Sequence, residues 1–252
     1  LSAHIAQIWR HPIKGHGREE IAEAALSVGR GIPFDRRWAV AHERSCFDIS
    51  SPRWQPSSEF SRGAKSPRLQ AIDAQTDEHL GKITLTHPDC VPLTIDPDNA
   101  RDANMFIQWV MPISNGSRMM PARLVRGNQA MTDTDFPSIS LINLASHRAL
   151  ETHMERELSP LRWRGNLLIE GWEPWSEKAM VGLHIQVGAA ILEIREEITR
   201  CTATTVNVAT GERDADTLGA LRDLGHQEMG LYAIVVKDGE ARQTDAVITV
   251  QK

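Results

Sequence analysis

Tyrosine occurs once in 252 residues and cysteine three times, and aromatic residues together make up 5% of the chain. The cysteines, Cys46, Cys90 and Cys201, are far apart and form no CxxC pair. A sparse, odd count argues against a disulfide scaffold and points to a reducing compartment. It also excludes an all-cysteine iron–sulfur site, which takes four thiolates. Apolar runs long enough to span a membrane are missing, so the expectation is a soluble, cytoplasmic chain without a membrane span. Its first residue is Leu1, which leaves an upstream targeting or anchoring segment open. A basic excess is also missing: Lys+Arg is 28 against Asp+Glu 33, a net charge of −5. That balance argues against a nucleic-acid partner, although a few well-placed cations could still hold a small anion. The GxSxG elbow, Walker A loop and GxGxxG fingerprint are absent. His4, His11 and His16 lie near one another without a cysteine or carboxylate to complete a zinc pattern. Asp96, Asp98 and Asp102 lack the glycine and terminal glutamate of a calcium loop, and read as turn and helix-cap residues.

What remains is an ordinary globular composition, 41% hydrophobic and 24% charged, with enough apolar material for a core. The first third reads as short strands: His4 to Arg10, ended by His11-Pro12, then Arg37 to His42 after the breakers Gly29, Gly31 and Pro33. Ile21 to Val28 suits helix or strand. Ser50 to Pro67 is a long Ser/Pro/Arg loop, and 83–86 with 91–95 form a hairpin. Helical spacing follows Asp102, through Phe106, Ile107 and Val110. It returns after Asn143, a candidate N-cap, through Leu150, Met154 and Leu158 up to Pro160. Further strands are expected at 166–170, 184–187, 190–197, 202–207, 232–237 and 246–250, with a short helix at 217–223. Strands dominate and βαβ alternation is absent. The expected class is mainly β (a β-rich α+β fold), a barrel with short peripheral helices.

Four segments place charge, glycine or a reactive atom at strand ends. In His11-Pro12-Ile13-Lys14-Gly15-His16 a stiffened turn presents Lys14, either to a phosphate or simply to solvent. In Asp35-Arg36-Arg37-Trp38 one arginine either forks onto an anion with Asp35 orienting it, or makes a local ion pair. Arg164 and Asn166, read as alternate residues of one strand face, point either into a polar pocket or off a sheet edge. Cys201, preceded by Arg200 and followed by Thr202-Ala203-Thr204-Thr205-Val206, is either a thiol with a lowered pKa or an inert half-buried one.

Taken in order, these segments resemble the MOSC family, the molybdenum-cofactor sulfurase C-terminal fold, with its N-terminal β-barrel companion. The two-part layout is similar to the mitochondrial amidoxime-reducing component and its bacterial relatives. The resemblance rests on His11-Pro12-Ile13-Lys14, Asp35-Arg36-Arg37-Trp38, Arg164-Gly165-Asn166, Glu173-Pro174-Trp175-Ser176-Glu177, Arg200-Cys201-Thr202-Ala203-Thr204-Thr205-Val206 with Thr210-Gly211, and Gly230-Leu231-Tyr232. It implies an N-terminal barrel-type domain over 1–112 and a MOSC domain over 113–252. It further implies that Cys201 is the catalytic, molybdenum-coordinating thiolate of a molybdopterin cofactor, a soft anionic ligand suited to a redox metal. Lys14, Gly15, Arg36, Arg164 and Arg200 fall at cofactor-binding positions, and Asn166 and Tyr232 would line the same pocket. Phe136-Pro137-Ser138 matches another contacting stretch. Departures from the family pattern are Gly15 in place of a small hydroxyl residue, Asn207-Val208 in place of Asp-Pro, and Thr244-Asp245 in place of Gly-Asp.

The implied activity is molybdenum-dependent reduction of a small N-hydroxylated or N-oxygenated substrate. Too few cysteines are present for a fused iron–sulfur domain, so electrons are expected from a separate ferredoxin, flavoprotein or cytochrome-type partner. The competing implication is a carrier in cofactor maturation, with Cys201 holding sulfur or cofactor for transfer. A third is a barrel that has lost its ligand.

Overall fold

In the computed structural model, which describes residues 2–116 and 119–250, the chain opens with β1 (His4–Arg10), β2 (Ile13–Lys14), β3 (Glu19–Ile21), β4 (Glu23–Leu26) and β5 (Trp38–His42). The meander β6 (Asp73–Asp77), β7 (Lys82–His87) and β8 (Cys90–Ile95) follows, then helix α1 (Ala100–Val110) and β9 (Pro121–Arg126). Next come β10 (Ile139–Asn143), α2 (Leu144–His153), β11 (Leu167–Glu170), β12 (His184–Val187) and β13 (Ala190–Thr199). The chain finishes with α3 (Thr217–Asp223), β14 (Glu228–Lys237), β15 (Gly239–Arg242) and β16 (Val247–Val250).

Eight strands form one sheet in the order β16-β12-β13-β14-β10-β11-β1-β3, so the first strands of the chain lie in the same sheet as the last. The sheet curls until its far sides meet. Ile5 donates its N–H to the Asp245 carbonyl (2.9 Å), and Thr244 and Val247 donate to the carbonyls of Ile5 and Ala3. The inward residues of this incomplete barrel alternate along each strand. Leu192 and Ile194 of β13 pack against Leu231, Ala233 and Val235 of β14, with Ile5, Leu141, Leu167, Ile169 and Ile185 completing the core. Each of the leucine, isoleucine and valine side chains contributes about 1.5–3 kcal/mol on burial. A second core, around Trp38, Leu85 and Phe106, fills the space between β5, the β6-β7-β8 meander and α1.

Four local expectations are corrected. One βαβ unit is present, because β10 and β11 run parallel (Leu141 opposite Leu167) with α2 crossing between them. Helix α2 starts where Asn143 caps it, its side chain accepting from Ala145 N–H at 2.9 Å, but ends at His153 well before Pro160. Glu155 takes a left-handed conformation (φ 49°), and the Glu151 carboxylate caps Leu158 N–H at 2.6 Å. The segment after Cys201 is a 3₁₀ turn over Thr202–Thr205, not a strand. Its threonines bond backward, Thr204 Oγ1 to the Cys201 carbonyl (3.0 Å) and Thr205 Oγ1 to the Thr202 carbonyl (2.9 Å). Such local bonds offer β-branched residues an alternative to a ladder. Finally, Arg164 is not on a strand: it ends the 3₁₀ turn Pro160–Trp163 in the left-handed region (φ 50°), and β11 begins at Leu167. The ambiguous stretch 21–28 is extended, with β4 paired to β15.

Gly230 is a backbone position the sheet cannot share with a larger residue. It has φ 83°, and a Cβ there would press on the Leu141 carbonyl oxygen and lie 3.3 Å from Arg200 Nη2. Gly230→Ala is expected to cost about 2 kcal/mol or more, from the left-handed backbone and the clash together. A urea titration checks this, and an unshifted midpoint would show that β14 yields there.

Candidate functional site

Strand ends and loops from both halves of the chain converge on a cavity of about 550 Å³. The turn after β2 supplies Lys14 and Gly15, and the 57–70 loop supplies Ser57, Arg62, Gly63 and Gln70. The segment before β10 adds Asp133 to Phe136, and the corner after α2 adds Arg162, Trp163 and Arg164. The end of β13 brings Glu196 to Cys201, and β14 brings Tyr232. Of the residues singled out from the sequence, Lys14, Gly15, Arg36, Arg164, Arg200, Cys201 and Tyr232 line this space together. Asn166 does not: it is buried one layer behind the wall, where its Oδ1 accepts from Ser140 Oγ (2.8 Å) and Arg36 Nη1 (3.3 Å).

Arg36 is aimed from two sides. Asp35 Oδ2 accepts from its Nη1 at 2.5 Å, and the Arg164 carbonyl accepts from its Nη2 at 2.8 Å. Asp35 is itself fixed, its Oδ1 accepting the His11 N–H at 2.7 Å. Burial alone would raise the Asp35 carboxyl, but the adjoining Arg36 charge outweighs it and holds the group well below the usual carboxylate range. Both Arg36 (φ 46°) and Arg164 (φ 50°) sit in the left-handed region, a backbone cost of about 1 kcal/mol or more for each.

Burial first, then the charges of Arg36 and Arg18, push Arg164 down to about 9, so it remains protonated at neutral pH. It makes a long contact of 3.4 Å to Gln70 Oε1 and an ordinary hydrogen bond of 3.1 Å to the Gly17 carbonyl. Arg200 is differently employed: its guanidinium donates to the Met229 and Trp163 carbonyls (2.8 Å each) and lies over the Trp163 ring. It therefore fixes the backbone leading into Cys201. Lys14 is buried and its ammonium donates to the Met131 and Thr132 carbonyls and to Asp133. The buried lining is cationic, whereas Asp135 and Glu196 are exposed at the rim.

Gly15 has a physical reason for lacking a side chain. At φ 74° its Cβ would lie 2.9 Å from the Ser61 carbonyl oxygen and 3.1 Å from Arg62 Cα. The 61–62 backbone occupies the space that a hydroxyl residue would take. Cys201, by contrast, is exposed and opens the 3₁₀ turn. Among the described residues, no group of three or more His, Cys, Asp or Glu side chains could hold a metal ion. A metal here would take one thiolate from the protein and bring its remaining ligands with it.

Three lining residues escaped the sequence reading. Arg62 lies in the long loop, where nothing distinguishes it from other surface arginines. Asp133 stands in a polar run, Thr132-Asp133-Thr134-Asp135, that reads as a turn. Arg162 is two residues before Arg164 in the same charged segment; it is 3% exposed, pairs with Asp214 (2.8 Å), and keeps Nε and Nη1 without partners.

The arrangement defines a class first: a curled β protein whose cavity joins buried cations to a single exposed thiol. Residues 129–248 match the family described as "MOSC domain", and residues 2–115 match "MOSC N-terminal beta barrel domain". The chain belongs to the MOSC family. Over 134 residues (52% of this chain) it is 28% identical to a molybdenum cofactor sulfurase of Caenorhabditis briggsae. Over 99 residues (38% of this chain) it is 30% identical to one of Caenorhabditis elegans. These matches span 18% and 14% of those proteins' lengths. Among solved structures, YuaD from Bacillus subtilis aligns over 100% of this chain and 98% of its own, at 14% identity and a TM-score of 0.49. YiiM from Geobacillus stearothermophilus aligns over 45% of this chain and 54% of its own, at 16% identity and a TM-score of 0.36.

Beneath the cavity wall, His16 is fully buried; its Nδ1–H donates to the Lys14 carbonyl (2.8 Å) and its Nε2 has no partner. Burial lowers it to about 4, and burial likewise holds His11 well below its ordinary value. Both groups are depressed relative to the unfolded chain, so the unfolded chain takes up protons first as pH falls. Stability is complete above about pH 6.5 and declines toward pH 4; His16 accounts for roughly 2 kcal/mol of that loss at pH 5, and His11 acts in the same direction. Urea midpoints at pH 7.5 and 5.0 measure this. His16→Asn, which can keep the bond to the Lys14 carbonyl, is expected to flatten the slope; an unchanged slope would remove His16 from the account.

Proposed function

We propose that the cavity binds a molybdenum–pterin cofactor and that the protein is an oxidoreductase reducing small N-hydroxylated or N-oxygenated compounds. The observation that carries this reading is the joining of one exposed thiol, Cys201, to buried guanidinium groups that are not fully paired. Arg162 keeps two buried nitrogens without acceptors, and Arg164 reaches Gln70 only at 3.4 Å, with the Gly17 carbonyl as its one ordinary acceptor. A buried cation short of acceptors is costly, and a phosphorylated anion supplies them. Gly15 and Gly63 let the cavity-lining loops close on one another, since a Cβ at either would strike Ser61 or Gln70. The donor set therefore suits the group.

When bound, such a cofactor supplies the two-electron redox change and the remaining soft ligands of the metal. Cys201 Sγ would hold the metal from the protein side, with Arg200 fixing the backbone that precedes it. Arg36 and Arg164 would orient the anionic tail, with Asp35 and Asn166 holding Arg36. Burial raises the Tyr232 phenol to about 12, so it keeps its proton at neutral pH and offers a hydrogen bond toward a substrate oxygen. The net conversion takes R₂N–OH, two electrons and two protons to R₂N–H and water. The electrons would come from a separate redox protein docking near the exposed Cys201 rim.

A second reading, a sulfur or cofactor carrier, is supported by the sulfurase names of the two nematode relatives. An exposed thiol can also be reached by a partner's persulfide. The two readings differ in what Cys201 holds.

Metal and pterin analysis of protein made with ample molybdate tests them. Wild type is expected to carry both near stoichiometry, and Cys201→Ala to lose the metal with an unchanged circular dichroism spectrum. Arg164→Ala should lower pterin retention about tenfold or more. Its melting temperature should hold, because removing one of several mutually repelling cations relieves as much as it costs. Metal and pterin absent from wild type, with a persulfide on Cys201 by mass spectrometry, would move the assignment to the carrier.

A further inference from the structure

We propose that Asp133 is an internal counter-ion that occupies the anion-binding donors of Lys14 until a phosphorylated ligand displaces it. This inference rests on the reading of the cavity as an anion site. An ammonium has three N–H donors, and all three of Lys14 are spent: on the Met131 carbonyl (2.9 Å), the Thr132 carbonyl (3.0 Å) and Asp133 Oδ1 (2.5 Å). While Asp133 is in place, an incoming oxyanion finds no free N–H on Lys14. One acceptor must leave, and the geometry points to the carboxylate.

The two partners differ in their freedom to move. The Lys14 side chain is 7% exposed, whereas that of Asp133 is 64% exposed. Lys14 is held in place by the two carbonyls as well as by Asp133, whereas the carboxylate can swing out into water once an incoming anion offsets the loss of the ion pair. Two carbonyls remain on Lys14 after the swing, and the phosphate takes the vacated third donor. Burial by itself would raise the Asp133 carboxyl; the Lys14 charge and hydrogen bond, with help from Ser57 and Arg36, hold it far below the usual range. It is thus an anion across the physiological range, the same kind of partner that the cavity's cations would meet in a ligand. With no ligand present, it keeps buried Lys14 from standing as an uncompensated charge.

The exchange has a built-in reporter. The Ser57 hydroxyl also donates to Asp133, and Trp54 Nε1 donates to the Thr132 carbonyl at 3.0 Å. The loop at the cavity rim is therefore tied to the segment that clasps Lys14. Displacing Asp133 breaks the Ser57 bond and alters the surroundings of Trp54.

The test is calorimetric titration of inorganic phosphate into full-length protein purified from cells unable to make the pterin, paired with tryptophan fluorescence. Asp133→Asn is expected to bind phosphate about tenfold or more tightly than wild type, the value of one charge-assisted contact regained. Ser57→Ala, which weakens the clasp without removing the charge, should bind about threefold more tightly. Wild-type fluorescence should shift on adding phosphate, and Trp54→Phe should lose that shift. Equal or weaker phosphate binding by Asp133→Asn, or no phosphate binding by any form, would overturn the proposal. Should Asp133→Asn not fold, Ser57→Ala decides, and an unchanged affinity there has the same force. Metal analysis separates the two readings. Molybdenum on wild type with phosphate affinity unmoved by Asp133→Asn sinks the counter-ion alone. Tighter phosphate binding by a protein that never loads molybdenum sinks the cofactor reading alone.

Discussion

Guanidinium and ammonium groups buried side by side repel one another, and much of the cavity is an answer to that repulsion. Arg18, Arg36 and Arg164 lie close enough to depress Arg164, and Lys14 and Arg200 are buried beside them. Each needs acceptors, and for Arg18, Arg36 and Lys14 some of them come from the other half of the chain. Arg18 donates to the Val208 carbonyl, Arg36 to the Arg164 carbonyl, and Lys14 to Met131 and Thr132. Asn166 Nδ2 returns the favour by donating to the Trp9 carbonyl. Burying a charge is tolerable only with excellent geometry and full pairing, so these bonds fix how the early loops sit against the later ones. The apolar barrel brings the strands together; the cations set the register of the loops above it.

That division explains why the thiol is where it is. Cys201 lies two residues beyond the end of β13, and its turn is built by threonine hydroxyls bonding to carbonyls three residues earlier. Arg200 anchors the approach by spending its donors on Met229 and Trp163. Asp214 ties the other side, pairing Arg162 and accepting from Asn207 at 3.0 Å. A small exposed sulfur is thus held rigidly above a cationic cavity, an arrangement that suits a ligand with a soft end and an anionic end.

Much of the strand plan was legible because burial on one face imposes a period of two. The strand at 184–187 and the helix at 217–223 fall where the pattern puts them. The errors share a cause: local chemistry that periodicity does not encode. The threonines after Cys201 suit a strand by branching but bond to their own backbone instead. Arg164 and Asn166 look like alternate residues of one face, yet a left-handed corner at Arg164 separates them, leaving Arg164 on the cavity and Asn166 behind it.

The sequence by itself determined a β-rich chain, the family, and the four charged or reactive segments, since these depend on residue type and spacing within short stretches. Only the tertiary structure decided which cations are free. Lys14 and Arg200 read from the sequence as open donors, but the fold spends them on Asp133 and on backbone carbonyls. Arg62 and Asp133 carried no local signal at all, and Arg162 only its place in the charged segment before Arg164. Whether a charged group meets solvent, a carbonyl or a cavity depends on segments more than a hundred residues away, such as the 117 that separate Lys14 from Met131. No window on the sequence contains both partners.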